Sequence, residues 1–448
     1  MSAGDPKISP INVVFVAFVM GAILFAGASG KMQAAADASI AAAKGAVTLA
    51  IGLIGIMSLW LGFVRILEAG GMMRQLARLV RPVMVRLFPD VPAEHPAMSA
   101  MILNISANML GLGNAATPFG IKAMVELNRL NPLPGMATNA MCLFLAINTS
   151  SVALLPLGVM GVRAAAGSTR PFEMFVPTLI ATLASTLVGV AVATWWGRRD
   201  VEYRRQTAEA QSPDTNSAGD AGEEETSEPD YSHLVGQPGA AGRRLAIAGL
   251  ILLAGAAVYQ GAVADSLPDF LQNRFASYWL MPVLIFLIFS YGLARSVRIY
   301  EAVTEGARQG FDIAVRIIPF LVAILVAIRM FRASGAMELL TSVLNPITRL
   351  IGMPGEVLPM ALVRPLSGSG AFGVMAELIE AAPDSYTAYV ASTLMGSTET
   401  TFYVLAVYFG AVGVSRIRHA LLAGLSADIT GIVVASLTCR LLWTGESY

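Results

Sequence analysis

Charge is scarce in this chain of 448 residues: 13% are Asp, Glu, Lys or Arg, against 55% hydrophobic, whereas a soluble domain carries about 25% charged residues. Together with a mean hydropathy of +0.65, that excludes a soluble enzyme. Histidine is limited to His95, His233 and His419, and cysteine to Cys142 and Cys439. Both thiols sit in apolar runs without a neighbouring Cys or His, so they read as packing and neither a disulfide nor a metal site is expected. No phosphate-cradling loop and no nucleophile triad with a histidine occurs, so no catalytic residue and no organic or metal cofactor is expected. No basic stripe is interleaved with aromatics, which removes the case for nucleic acid.

What the chain has in quantity is apolar runs of a length that spans roughly 30 Å of hydrocarbon as helix. Hydropathy marks spans near 11–29, 46–65, 97–120, 137–161, 172–197, 243–262, 277–295, 313–331, 357–376, 388–410 and 419–443. The fold class is therefore an all-α polytopic membrane protein. The first span resembles a signal peptide, but its counterpart in the second half argues that it is retained. Zero net charge hides an asymmetry: residues 200–230 hold 10 of the 30 acidic side chains and 2 of the 30 basic ones. A polar stretch, 198–242, rich in Ser, Thr, Pro and Gly with Glu223, Glu224 and Glu225, cannot bury a core and reads as a disordered linker between a first half (1–197) and a second (243–448). Arg198, Arg199, Arg204, Arg205, Arg243 and Arg244 flank the linker and place it in the cytoplasm by the positive-inside rule.

The halves repeat. RILEAGGMMRQLARLVRP (65–82) aligns without gaps to RMFRASGAMELLTSVLNP (329–346), with Arg65/Arg329, Gly71/Gly335 and Pro82/Pro346 among the identities. Gly111 and Gly113 correspond to Gly368 and Gly370, and Gly158 and Gly161 to Gly410 and Gly413. If the Gly-rich segments 97–120 and 357–376 dip in and return, the unmatched span 243–262 flips the second half and the repeats are inverted. The stretches 68–88 and 298–312 are amphipathic and are expected on the membrane surface, with Arg74, Arg78, Arg81 and Arg86 at headgroups.

Two kinds of segment depart from lipid-facing helix, each once per half. The first is NISANMLGLGNAATPFG (104–120), paired with RPLSGSGAFG (364–373), where Gly and Pro interrupt the helical hydrogen-bond ladder. The second is AINTSSVALLP (146–156), paired with GSTETTFYVL (396–405), which puts small hydroxyl and amide side chains in an apolar span. Broken helices of this kind build midplane solute sites in transporters. The candidate solute-binding residues are Asn104, Asn108, Asn114, Thr117, Asn148, Thr149, Ser150, Ser151, Arg364, Ser367, Ser369, Ser397, Thr398, Glu399 and Thr400. Glu399 has two readings: a proton or sodium acceptor coupled to transport, or a static partner of Arg364. Arg364 divides likewise between an anion-binding fork and that partnership. For the asparagines the alternative is interhelical packing. Asp428 reads as an isolated helix-packing or interfacial acid.

GLIGIMSLWLG, FPDVPAEHPAMSAMILNISANMLGLGNAATPFGIKAM and MCLFLAINTSSVALLP resemble spore maturation protein A, and RIIPFLVAILVAIRMFRASGAM, VRPLSGSGAFG and GSTETTFYVLAVYFG resemble spore maturation protein B. The resemblance covers almost the whole chain outside the linker and implies a natural fusion of the two. Both are similar to the nucleoside-recognition or gate-domain family, which includes concentrative nucleoside transporters and the gates of ferrous iron permeases. By that resemblance, 104–120 and 364–373 are re-entrant gate hairpins, 148–151 and 397–400 line the solute site, and where spores are made the role is spore maturation. The chain lacks the P-type GTPase domain of the iron permeases, and fold does not settle substrate. The resulting expectation is an inner-membrane transporter moving a nucleoside-like or anionic metabolite by alternating access. Its partners are the solute and the bilayer, with homo-oligomerisation allowed. The alternative is a non-transporting scaffold for envelope or cell-wall machinery, docked through the linker.

Overall fold

The computed structural model describes residues 10–111, 116–154, 156–210, 231–236, 240–263 and 279–443. The first half runs α1 (Pro10–Ser29), α2 (Met32–Ala69), α3 (Met72–Leu87), α4 (Pro96–Met109), α5 (Thr117–Arg129), α6 (Asn139–Ser150), α7 (Leu157–Ala165) and α8 (Phe175–Arg199). After α9 (Val201–Ala210) and α10 (Ala240–Val263) the second half runs α11 (Leu280–Ala294), α12 (Ile299–Ser334), α13 (Ala336–Ile351), α14 (Leu358–Val363), α15 (Gly368–Ala381), α16 (Tyr386–Ser397), α17 (Thr401–Ala411) and α18 (Ala420–Leu442). Helix lengths recur in the same order: a very long second helix, a 16-residue third helix, then two interrupted pairs and a final span. The protein is an all-α polytopic membrane protein, and among the described residues its only extended pairings are two isolated bridges.

Among the described residues five helices, α2, α8, α10, α12 and α18, are long and apolar enough to cross a membrane, fewer than the eleven spans that hydropathy marks. The difference lies mainly where continuous apolar runs are cut in two. The span at 97–120 becomes α4 and α5, 137–161 becomes α6 and α7, 357–376 becomes α14 and α15, and 388–410 becomes α16 and α17. Apolar composition measures transfer into hydrocarbon and is blind to a break whose backbone groups find partners inside the protein.

The long helices α2 and α12 form the spine. A Cβ built at Gly62 would meet Val303, one at Gly310 would meet Met57 and Ser58, and one at Gly45 would meet Arg329, so the two run antiparallel in close backbone contact. Arg65 donates to Gln309 at 3.0 Å, while Arg329 lies beside Gly45 at the other end. Each helix turns into a 16-residue amphipathic helix through a left-handed glycine, Gly71 at φ +79° and Gly335 at φ +89°, a conformation that a side chain penalises. This accounts for the paired glycines. It also corrects one expectation: residues 298–312 are no surface helix but the start of α12, seated on α2, and the counterpart of α3 is α13.

The linker is partly ordered, contrary to the expectation of disorder across 198–242. Residues 201–210 are helical, and Tyr231–Gly236 is stitched to the start of α12 by Arg298 N–H donating to Leu234 O at 2.7 Å and Gly236 N–H donating to Ser296 O at 2.8 Å. Glu223, Glu224 and Glu225 lie outside the described residues.

Candidate functional site

The second antiparallel pair, α8 and α18, carries the breaks. Along α8, Thr178, Thr182, Ser185 and Gly189 recur at helical spacing and are buried or face close neighbours. Thr182 donates to the carbonyls of Ser150 and Ser151 at 2.9 and 2.6 Å, satisfying acceptors freed where α6 ends. Along α18 the equivalent face is Gly424, Asp428 and Gly431. A Cβ at Gly431 would sit 2.4 Å from Thr398, and one at Gly424 would sit 2.8 Å from Thr401 and 3.5 Å from Thr149. Small residues thus let both broken helices approach one another.

They meet at their breaks. The Glu399 amide donates to the Thr149 carbonyl at 2.6 Å, joining the end of α6 to the segment between α16 and α17. Around this crossing lie two polar clusters. In the first, Tyr408 links the asparagines: Asn104 Nδ2 donates to its hydroxyl at 3.2 Å, and that hydroxyl donates to Asn148 Oδ1 at 3.3 Å. Asn108 Nδ2 also donates to Asn148 Oδ1, at 3.1 Å, and Asn104 Nδ2 holds the carbonyl of Ala116 at 2.8 Å across the break between α4 and α5. In the second cluster the Arg364 guanidinium donates to the carbonyls of Met395 (3.2 Å) and Thr398 and to the Thr400 hydroxyl (3.2 Å). Glu399 is 3.9 Å away and its side chain is 44% exposed, while that of Arg364 is 2% exposed.

These distances weigh the two readings of Arg364. A fork committed to three oxygens at the end of α16 acts as a clamp on that helix terminus. Glu399, half-exposed and in loose contact, is the more available charge. Asp428 is no isolated acid: it is 1% exposed, accepts the Thr401 hydroxyl at 2.6 Å, and lies within reach of the Thr398 hydroxyl. Asn104 Oδ1, Thr149 Oγ1 and Arg364 Nε are buried with no hydrogen-bond partner among the described residues. A buried polar atom without a partner costs free energy, on the order of 1–3 kcal/mol.

Not every expected residue joins. Ser367 caps α15 by accepting from Gly370 N–H at 3.0 Å, and Ser397 donates to Leu394 O at 2.8 Å within its own helix. Ser150 donates to Ile147 O at 3.1 Å, so its hydroxyl and that of Ser397 serve local backbone. Thr117 and Ser369 are half-buried in the first turns of α5 and α15, and Asn114 lies outside the described residues. Tyr408 and the engaged Asp428 are the additions that sequence reading missed. The signal for Asp428 was a carboxylate flanked by glycines on one helical face.

The nucleoside-recognition gate family matches residues 50–166 and 314–415. Spore maturation protein A of Bacillus subtilis is 38% identical over 196 residues, 44% of this chain and 97% of that protein. Spore maturation protein B of the same organism is 46% identical over 165 residues, 37% of this chain and 93% of that protein. The inner membrane protein YjiG of Escherichia coli is 35% identical over 78 residues, 17% of this chain and 51% of that protein. No solved structure matches the chain.

Proposed function

The chain belongs to the spore maturation protein family, as a fusion of its A and B members with the gate fold in each half, and from that premise we propose that it moves a small polar solute across the inner membrane. The observation that carries this reading is the convergence of buried, unpartnered polar atoms on the point where two broken helices cross. A structural crossing would satisfy its own polar groups; one that leaves an amide oxygen, a hydroxyl and a guanidinium N–H open suits a ligand that both donates and accepts hydrogen bonds, such as a nucleoside-like solute. The antiparallel α2/α12 and α8/α18 pairs support inverted repeats rocking about that crossing. Glu399 and Asp428 share the coupling of a proton or sodium ion, the first as the exposed entry group and the second as the buried acceptor. A cytoplasmic linker is supported by the arginines flanking α9 and α10 through the positive-inside rule.

The test is a thermal-shift screen of the purified protein, with Glu399→Gln and Asp428→Asn beside it, against nucleosides, nucleobases, amino acids and dicarboxylates. A solute that binds only the folded protein raises its stability by about 2.7 kcal/mol at a hundredfold excess over Kd. The expected result is a shift with one class, lost in Asp428→Asn. No shift with any class from well-folded protein refutes the solute site. A scaffold reading is favoured by the docking of Tyr231–Gly236 on α12. It requires that deleting 211–230 abolish function, whereas a transporter keeps its uptake.

A further inference from the structure

Arg74, Arg78, Arg81 and Arg86 are all exposed on α3, a helix with no acidic side chain. Arg74, Arg78 and Arg86 share one row with Pro82 at steps of four residues, so they line a single ridge about 18 Å long. The neighbouring ridge is apolar and open: Leu79 and Val83 are 70% and 56% exposed. Met73 and Met84, on another side, are buried in the protein. Seven residues separate α3 from the uncharged run 45–64 of α2, which has the length of a membrane span. The helix therefore lies at a membrane face, with its arginine ridge at headgroup level and its apolar ridge toward hydrocarbon. This is the face to which the linker returns, because Arg65 near the end of α2 donates to the Tyr231 hydroxyl.

Like charges at a four-residue spacing repel along a helix, and guanidinium groups without carboxylates call for phosphate. Among the described residues Arg78 and Arg86 make no hydrogen bond or ion pair, whereas Arg81 pairs with Glu94 at 2.6 Å. Of the neighbouring carboxylates, Glu68 is held by Arg65 at 2.7 Å, which leaves Asp90 against the ridge. Helix ends cancel here, since the C-termini of α2 and α3 are matched by the N-termini of α3 and α4. The repeat supplies a comparison. In α13 the row aligned with Arg74, Arg78, Pro82 and Arg86 reads Glu338, Ser342, Pro346 and Leu350, while the apolar ridge persists at Leu339 and Val343, 54% and 66% exposed. Positive charge around α13 comes instead from Arg349 on its last turn and from Arg332 and Lys31 near its start. An apolar edge is common to both halves; the arginine ridge belongs to the first.

We propose that the arginine ridge of α3 binds anionic phospholipid of the leaflet on the linker side, with headgroup phosphates at Arg78 and Arg86 and acyl chains along Leu79 and Val83. The rival anion is the chain's own segment 211–230, which carries seven carboxylates and no basic group. That segment has no large apolar side chain to cover Leu79 and Val83, whereas a phospholipid occupies both ridges at once. The surface is separate from the helix crossing and does not depend on solute transport.

The full chain in detergent is titrated with dioleoyl-phosphatidylglycerol, dioleoyl-phosphatidylcholine and soluble glycerol 3-phosphate, with retention read by native mass spectrometry. Phosphatidylglycerol is expected to bind about 25-fold tighter than phosphatidylcholine, about fivefold for each of the two uncommitted arginines. Arg78→Gln with Arg86→Gln should cut that preference below about fivefold, whereas Arg78→Lys with Arg86→Lys should keep it. Arg332→Gln with Arg349→Gln, at the opposite membrane face, should keep it too. Equal binding of the two lipids, an undiminished preference in the glutamine pair, or its loss in the Arg332 and Arg349 pair overturns the proposal. Glycerol 3-phosphate binding as tightly as phosphatidylglycerol overturns the lipid source, and a preference that appears only after deletion of 211–230 gives the ridge to that segment instead. The substituted α3 side chains are exposed, and an unchanged lipid-free melting temperature establishes that the variants fold.

Discussion

The amide of Glu399 donates to the carbonyl of Thr149 at 2.6 Å, and through that one bond the interrupted helices of the two halves are joined at their breaks. Backbone polar groups at a break must find partners inside the protein, because hydrocarbon offers none. Here the Glu399 amide finds its partner in the other half, while Thr182 and Arg364 satisfy the remaining carbonyls within their own halves.

The clamp and the exposed acid should separate in stability. Arg364→Lys loses the planar fork and strands acceptors at Met395, Thr398 and Thr400, for an expected loss of roughly 2–4 kcal/mol. Glu399→Gln, at a half-exposed site, should melt within experimental error of the parent and lose coupled uptake. Thermal unfolding of both variants beside a flux assay checks this; normal coupled uptake by Glu399→Gln would remove its coupling role.

Close approach of the two long helices makes a matched pair of glycines informative. A Cβ at Gly310 would lie 2.6 Å from the Met57 carbonyl and the Ser58 backbone, none of which can swing aside, whereas at Gly52 nothing lies within 4 Å. Gly310→Ala is expected to destabilise by about 1–3 kcal/mol. Gly52→Ala should be neutral or stabilise by up to about 1 kcal/mol through helix propensity. Equal melting of the two variants would contradict the packing.

Two arginine latches bind the halves together. Arg418, before α18, donates to Asp200 at 2.6 Å and to Ala137 O at 2.8 Å. Buried Arg163 lies 3.9 Å from Asp384, which also accepts from Ser168 at 2.6 Å. The second latch is near Trp443, at the far end of α18, since Arg170 spans both groups. The latches therefore sit on opposite membrane faces. If the halves rock, Asp200→Asn and Asp384→Asn should change labelling of a cysteine placed at Thr400 from opposite sides. Native background is low because Cys142 and Cys439 are buried. Identical labelling patterns in both variants would count against alternating access.

Acid should weaken both latches. Burial works to raise the Asp200 carboxyl, but the Tyr203 amide and the Arg418 guanidinium outweigh it and hold the group below its usual range. For Asp384, burial is likewise outweighed by Ser168, by the amide and hydroxyl of Thr169, and by Arg163. A depressed folded pKa stabilises above the unfolded value of about 3.9, and that contribution is lost as pH falls through the folded value. Melting temperature should therefore drop below about pH 4, less steeply in the Asp200→Asn, Asp384→Asn double variant. Parallel pH profiles would show that the carboxylates do not contribute.

Periodicity and composition determined the membrane class, the duplication and the Gly- and Pro-rich interruptions at 104–120 and 364–373, because hydropathy, glycine spacing and aligned residues such as Arg65 and Arg329 are local properties of the chain; the breaks after Ser150 and Ser397 emerged only from the fold. They also located Asn104, Asn148, Thr149 and Glu399 as polar groups in apolar surroundings. The tertiary structure decided what these residues contact. That Tyr408 links Asn104 to Asn148, that Arg364 grips the end of α16 rather than Glu399, and that Asp428 joins the crossing all depend on helices far apart in sequence packing at particular depths. The same holds for 298–312, whose amphipathic pattern reads as a surface helix until α2 covers its apolar face. Pattern reports which side of a helix avoids water; only packing decides whether lipid or another helix takes that side.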